Sequence, residues 1–393
     1  MRYLVLPCSV NNRYLVDNGF SKFFAWYDEQ SWYPLGRPIG TTIYPGLQFT
    51  AAALYWAANL IQGPFAGVTL NDVCVYIPAL FGVLTTWFTY LLAYEVTGDG
   101  AAAVASSMIM AIIPSHLMRS VAGGFDNESI AVCAIVATFY LWCRSLRTPT
   151  SWPWGLATAA SYVYMVCAWG GYTFVVNLIG LHAGLMALCT VDLSGVLVHQ
   201  NLQAFTMSDP TSLHRAYSLF YVLGTLGAVF VPVVGWAPLR SLEQLAPLAV
   251  FVGLQLLQLN WEWRKRQPNS KNGAQVSGKA QVMLLAHMLV GAVVVGLGAL
   301  YLASHTGYLG PLSSRVRGLF VKHTRTGNPL VDSVAEHQST RPQMYWGYFH
   351  ATCYAAPLGL ALNAFRASSG KPAASFMLIY AWVRAMEIFD YRS

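Results

Sequence analysis

A bundle of membrane-spanning α-helices, an all-α polytopic membrane protein, is what three features of this sequence encode. The 393 residues are 55% hydrophobic and 10% charged, a balance that an ordinary water-soluble core cannot bury. Apolar runs with few or no charges recur along the chain at about 20 residues each, the length that crosses about 30 Å of hydrocarbon. Water does not reach the amides there, so each run satisfies its own backbone as a helix.

From the N-terminus, "MRYLVLPCSV" holds one basic residue and an apolar run too brief for a signal peptide. The apolar piece at 44–62 is bounded by Pro45, Gly46 and Pro64, and reads as a helix lying in the interface. Spans are then expected at about 73–94, 101–118, 129–143, 150–168, 172–191, 216–237, 244–260, 280–303, 343–364 and 373–389. That makes ten, or eleven if 44–62 also crosses. Four regions result: a first loop with an interfacial helix over 1–71, spans over 72–303, a loop over 304–342, and the last spans over 343–389. Residues 262–279, rich in Pro, Asn, Ser, Gly and Lys, read as a flexible loop.

Charge gives the topology. The net charge of +7 is spread over several loops, so it argues for membrane orientation and not for a nucleic-acid partner. The densest basic stretch, Arg264, Lys265, Arg266, Lys271 and Lys279, is placed in the cytosol by the positive-inside tendency. Arg144, Arg147, Arg366 and Lys371 lie an even number of spans away and share that side. Asp126 and Glu128 then face the opposite compartment, together with the loop carrying "SVAEHQ" (333–338) and the far end of the last span, near Arg384. Six of the cysteines, Cys74, Cys133, Cys143, Cys167, Cys189 and Cys353, fall within spans. None has a CxxC spacing, which gives no support to a zinc site, thiol redox chemistry or a disulfide framework. No phosphate-loop motif and no Ser, His and Asp arrangement of a hydrolase is present, and the nine histidines lack an H-x₃-H spacing.

The stretch "GGFDNESIAV" (123–132) sets two carboxylates between long apolar runs. One reading makes them helix caps, since acids near a helix N-terminus are favoured by the dipole. The other makes them ligands of a hard cation: two oxygen donors at a membrane edge suit Mg²⁺ or Mn²⁺, with phosphates completing the shell. Both hold together, because a helix N-terminus also favours phosphate. Asn127-Glu128-Ser129 is the one N-x-S/T sequon, and its tight interhelical loop argues against its glycosylation.

Four motifs, "WYDEQSWYPLGRPIGTTIYPGL" (26–47), "RSVAGGFDNESIAV" (119–132), "AWGGY" (168–172) and "SVAEHQ", occur in the order found in the eukaryotic catalytic subunit of oligosaccharyltransferase. The chain resembles that family from about residue 13 to residue 384. The resemblance implies a GT-C type glycosyltransferase of the endoplasmic reticulum membrane with its active face lumenal. Such an enzyme transfers a preassembled oligosaccharide from dolichyl pyrophosphate to Asn of Asn-x-Ser/Thr in an acceptor polypeptide, in some cases beside further subunits. It also implies that Asp126 and Glu128 bind Mn²⁺ or Mg²⁺, that Glu336 works beside the metal and the acceptor Asn, and that Arg119, Arg384 and His337 serve substrate binding. Each has a plainer reading. Glu336 is otherwise an exposed loop acid, Arg384 a side chain snorkelling to the interface, and Arg119 a partner for nearby acids.

The same family implies one more span and an acidic motif upstream, where Leu4 stands in place of the expected aspartate, and a downstream lumenal domain with a WWDYG motif. The chain is thus expected to be cut at both ends, and transfer by it alone to be weak or absent. Two other classes compete. A different lipid-phosphate-dependent GT-C sugar transferase would act on sugars, which the "SVAEHQ" match opposes. A transporter would carry ionisable groups at mid-span and inverted repeats, whereas here the acids sit at span ends.

Overall fold

The computed structural model describes all residues except 1–5, 32, 61–66, 191–209, 242–243, 267–300, 302–304, 306–341, 368–371 and 391–393. The described residues are mostly helical, with one two-stranded sheet among them. They divide into two compact units. The first draws on Met1–Trp142, Leu156–Val175 and Val222–Pro238; the second on Cys143–Gly155, Val176–Tyr221 and Leu239–Ser393.

The first unit opens with α1 (Leu6–Ala25), kinked at Gly19, followed by β1 (Tyr27–Asp28), β2 (Arg37–Pro38), the short α2 (Ile39–Thr42) and α3 (Gly46–Leu60). Leu15, Phe23, Ile39 and Ala52 form a buried cluster here, packed round by Tyr14, Trp26 and Phe49. The strands pair antiparallel with Asp28 opposite Arg37. Asp28 accepts from Gln30 N–H (3.0 Å) and from the Ser31 hydroxyl (2.5 Å). Burial pushes the Asp28 carboxyl up, but these hydrogen bonds and the Arg37 charge outweigh it and hold the group below the usual carboxylate range.

Next comes the hairpin of α4 (Leu70–Thr97) and α5 (Gly100–Ile112). It starts at a capping box, where Thr69 Oγ1 accepts from Asp72 N–H and Asp72 accepts from Thr69 N–H. Gly98, left-handed at φ 71°, ends α4, and the next residue, Asp99, caps α5. The run expected at 101–118 does not continue straight. Pro114 disfavours helical backbone at Ile113, which is extended, and α6 (Pro114–Ser120) leaves at 61° to α5.

Beyond α7 (Asn127–Ser145), α8 (Trp154–Ala168) packs on α3. A Cβ added to Gly46 would lie 2.8 Å from the Cys167 carbonyl oxygen, and Thr50 Oγ1 hydrogen-bonds Tyr164 Oη at 2.7 Å. Small residues at such crossings let helix backbones touch in a membrane. In the second unit, α9 (Tyr172–Thr190) meets α15 (Pro372–Asp390) through His182, whose Nε2 lies 3.0 Å from Ser375 Oγ. There α10 (Pro210–Val229) also joins α12 (Leu245–Arg266), beyond the short α11 (Ala237–Arg240). Tyr217 donates to the Pro247 carbonyl, and Gln255 bridges His214 and Ser218. The run expected at 343–364 splits into α13 (Pro342–Phe349) and α14 (Thr352–Ala367), with His350 at φ 47° between them.

Two of the described helices, α4 and α7, are long and apolar enough to cross a membrane, and α5 with α6 makes a third if the bent pair is one span. The stretches Trp154–Ala168, Tyr172–Leu188, Leu245–Leu259 and Pro372–Ala381 are apolar but shorter. A 15-residue helix such as α8 is about 22 Å long, short of a full hydrocarbon core. By this measure the described residues hold two or three spans. The expected count of ten or eleven is larger, and its run at 280–303 lies outside them apart from Tyr301.

Candidate active site

Within the first unit, the turn between α6 and α7 gathers three of the residues singled out from sequence. Arg119 stands in the last turn of α6, and its Nε lies 2.7 Å from Glu128 Oε2 while its Nη1 lies 3.8 Å from Asp126 Oδ2. Glu128 stands in the first turn of α7, where the positive end of the helix dipole favours it. Asp126 immediately precedes that helix, and its carbonyl oxygen accepts from both the Ser129 amide and the Ser129 hydroxyl, at 3.2 and 2.7 Å. One guanidinium thus spans two carboxylates two residues apart.

Packing behind the turn explains why it adopts this shape. Gly82 in the middle of α4 leaves room for Ser120: a Cβ there would sit 2.7 Å from Ser120 Cβ. His116 Nε2 approaches the Gly82 carbonyl oxygen at 3.4 Å, and Ser120 Oγ donates to the His116 carbonyl at 2.9 Å. The loop then turns at Gly123, whose φ of 90° suits glycine, and the Gly123 amide donates to the Val75 carbonyl on α4 at 2.9 Å. On the far side, Thr138 Oγ1 and Ser161 Oγ, 2.9 Å apart, tie α7 to α8. Gly82 and His116 are supports that the sequence did not single out, whereas Ser120 and Gly123 stand within the 119–132 motif with no role assigned to them. The glycine inside the apolar run of α4 was the signal for the first, and the Gly123-Gly124 pair for the turn.

The site stays open to solvent. The side chains of Arg119, Asp126 and Glu128 are 47%, 59% and 29% exposed, so the ion pairs contribute about 0–1 kcal/mol and exchange readily for other ligands. The oxygens that hold a guanidinium are hard donors of the kind Mg²⁺ and Mn²⁺ prefer. Among the described residues no group of three or more His, Cys, Asp or Glu surrounds a common point. Asp126 and Glu128 are two carboxylates of the type such an ion takes, against about six ligands in a full shell.

Glu336 and His337 lie outside the described residues, and Arg384 lies on α15 with its side chain outside them. Arg119, Asp126 and Glu128 are the three that the described structure brings together.

Known proteins match this architecture and sequence. The chain matches the family model for oligosaccharyl transferase STT3, N-terminal, over residues 11–389. The dolichyl-diphosphooligosaccharide–protein glycosyltransferase subunit STT3 of Dictyostelium discoideum is 35% identical over 348 residues, covering 88% of this chain and 44% of the relative. Among solved structures, the apo oligosaccharyltransferase of Archaeoglobus fulgidus aligns with a TM-score of 0.66 at 19% identity, over 97% of this chain and 44% of that one. The same archaeal protein in complex with Zn and sulfate aligns at 0.60 and 17%, over 97% of this chain and 42% of that one. The chain spans less than half the length of these proteins. With its sequence matched almost from end to end, and its fold with it, the chain belongs to the oligosaccharyl transferase STT3 family.

Proposed function

We propose that this chain acts in protein N-glycosylation, in the transfer of a preassembled oligosaccharide from dolichyl pyrophosphate to Asn of Asn-x-Ser/Thr, and that the α6–α7 turn is its donor site. The observation that carries the reading is Arg119 bound to both Asp126 and Glu128, in a chain whose relative is named for that donor and that reaction.

The chemistry accounts for the charges. A pyrophosphate leaving group gathers negative charge as the sugar carbon is attacked. Asp126 and Glu128 would hold a divalent ion, and Arg119 turns its donors to the phosphate oxygens. When bound, Mn²⁺ or Mg²⁺ supplies Lewis-acid stabilisation of that leaving group and a template for it; the archaeal protein of the same fold was crystallised with Zn and sulfate. An amide nitrogen is a poor nucleophile because its lone pair is conjugated. Glu336, assigned beside the acceptor, accepts hydrogen bonds from the amide protons and weakens that conjugation, while His337 and Arg384 contact substrate. The lipid carrier explains the greasy scaffold. Ten or eleven spans place the turn on the lumenal side of the endoplasmic reticulum membrane, and the family's naming as a subunit fits an assembly with other subunits.

Binding tests the site. The full chain in lipid nanodiscs, given Mn²⁺ and a dolichyl pyrophosphate-linked oligosaccharide, is expected to bind the donor only with the metal present. Asp126→Asn is expected to weaken that binding at least tenfold, on the order of 1.4 kcal/mol. Donor binding indifferent to both metal and substitution would reject the assignment.

A further inference from the structure

We propose that Arg144 and Arg215, mounted on Trp154 and Trp152, form with the exposed Arg147 one turn beyond Arg144 a site for the headgroup of an anionic phospholipid on the membrane face opposite the acidic pair. The residues all belong to the second unit. The Arg144 Cζ lies 5.7 Å from the centroid of the Trp154 ring, and the Arg215 Cζ lies 5.7 Å from that of Trp152, both within cation–π range. The Arg215–Trp152 contact joins two segments 63 residues apart in sequence, and the Arg144–Trp154 contact stiffens the first of them.

Backbone contact holds the arrangement. A Cβ on Gly155 would meet the Ala216 carbonyl oxygen at 2.6 Å, so the start of α8 rests directly on α10 beside Arg215. The intervening loop is cross-braced, with Thr148 Oγ1 2.5 Å from Ser151 Oγ and the Trp154 amide donating to the Ser151 carbonyl at 3.0 Å. Arg147 and Arg215 are exposed, and Trp154 is 42% exposed.

Position and chemistry then select the partner. Helix α7 is about 28 Å long, carries Glu128 in its first turn and Arg144 in its last, and is apolar enough to cross a membrane. The arginines therefore sit at the other surface, which the positive-inside tendency makes cytosolic, where anionic lipids concentrate. Tryptophan favours the headgroup level. Stacking engages the face of a guanidinium, and its N–H donors lie in the plane, where they match phosphate oxygens in pairs. A free anion has no use for the paired tryptophans, which suit a headgroup attached to acyl chains.

Native mass spectrometry of the full chain released from nanodiscs tests this, with phosphatidylserine as the anionic probe in phosphatidylcholine. Retained phosphatidylserine is expected to fall about fivefold for each of Arg147→Gln and Arg215→Gln, with phosphatidylcholine unchanged. Arg147→Gln decides the matter if Arg215→Gln unfolds, and Arg147→Lys is expected to retain the lipid. Equal retention by wild type and Arg147→Gln overturns the proposal, as does displacement of the lipid by inorganic phosphate alone or by an acidic peptide.

Discussion

Gly82→Ala is the change through which the support of the candidate site is best weighed. The added methyl would stand 2.7 Å from Ser120 Cβ, against the 3.5–4.0 Å of an ordinary carbon contact, a deficit of about 1 Å. Ser120 Cβ is fixed to its backbone, so no rotamer relieves the clash and α6 must move off α4. Overpacking of this kind costs about 1–3 kcal/mol. A shift of that size also takes Arg119 Nε beyond hydrogen-bond reach of Glu128, from its present 2.7 Å. The expected result is a lower unfolding temperature in detergent and weaker donor binding together. Ser120→Gly removes the opposing carbon, so the double variant is expected to recover most of the loss. An unchanged unfolding temperature in Gly82→Ala, or a double variant worse than the sum of the two, would refute the packing argument.

Other outcomes follow from neighbouring contacts. Arg119→Gln leaves Asp126 and Glu128 without the cation they share, so Mn²⁺ binding, read by electron paramagnetic resonance, is expected to tighten while donor binding weakens. Thr138→Val breaks the 2.9 Å link between α7 and α8 and is expected to destabilise by about 0.6 kcal/mol, with an upper bound of about 1.7, in a calibrated unfolding assay. Asp28 has its folded pKa held below the usual value, so its contribution to stability is present above the unfolded pKa of about 3.9 and is lost as pH falls through the lower folded value. Wild type is accordingly expected to lose stability relative to Asp28→Asn as the pH drops below about 4, measured by thermal unfolding across that range.

Legibility in the sequence tracked distance along the chain. Arg119, Asp126 and Glu128 lie within ten residues, and a helix boundary between them was readable from the end of one apolar run and the start of the next. The start of α3 at Gly46 followed directly from Pro45. The bend at Ile113 was also written locally, in Pro114, but the surrounding hydrophobicity masked it, since an average over the run cannot see one dihedral. The split at His350 had no such marker. Least legible were the contacts between distant segments. Gly82 meets Ser120 across 38 positions, Gly46 meets Cys167 across 121, and Arg215 meets Trp152 across 63. Helical periodicity says which face is apolar and nothing about which neighbour that face meets. For Glu336, His337 and Arg384 the assignment rests on motif order alone.

Glycan transfer by a chimera bears most directly on the central claim, that Asp126 and Glu128 form the donor site of an STT3 family member. Residues 11–389 of this chain replace the matching segment of the Dictyostelium relative, and transfer to an Asn-x-Thr peptide is followed with a dolichyl pyrophosphate donor and Mn²⁺. The chimera is expected to glycosylate the peptide, and Asp126→Asn with Glu128→Gln to abolish that transfer while folding is preserved. Undiminished transfer with both carboxylates gone would contradict the assignment.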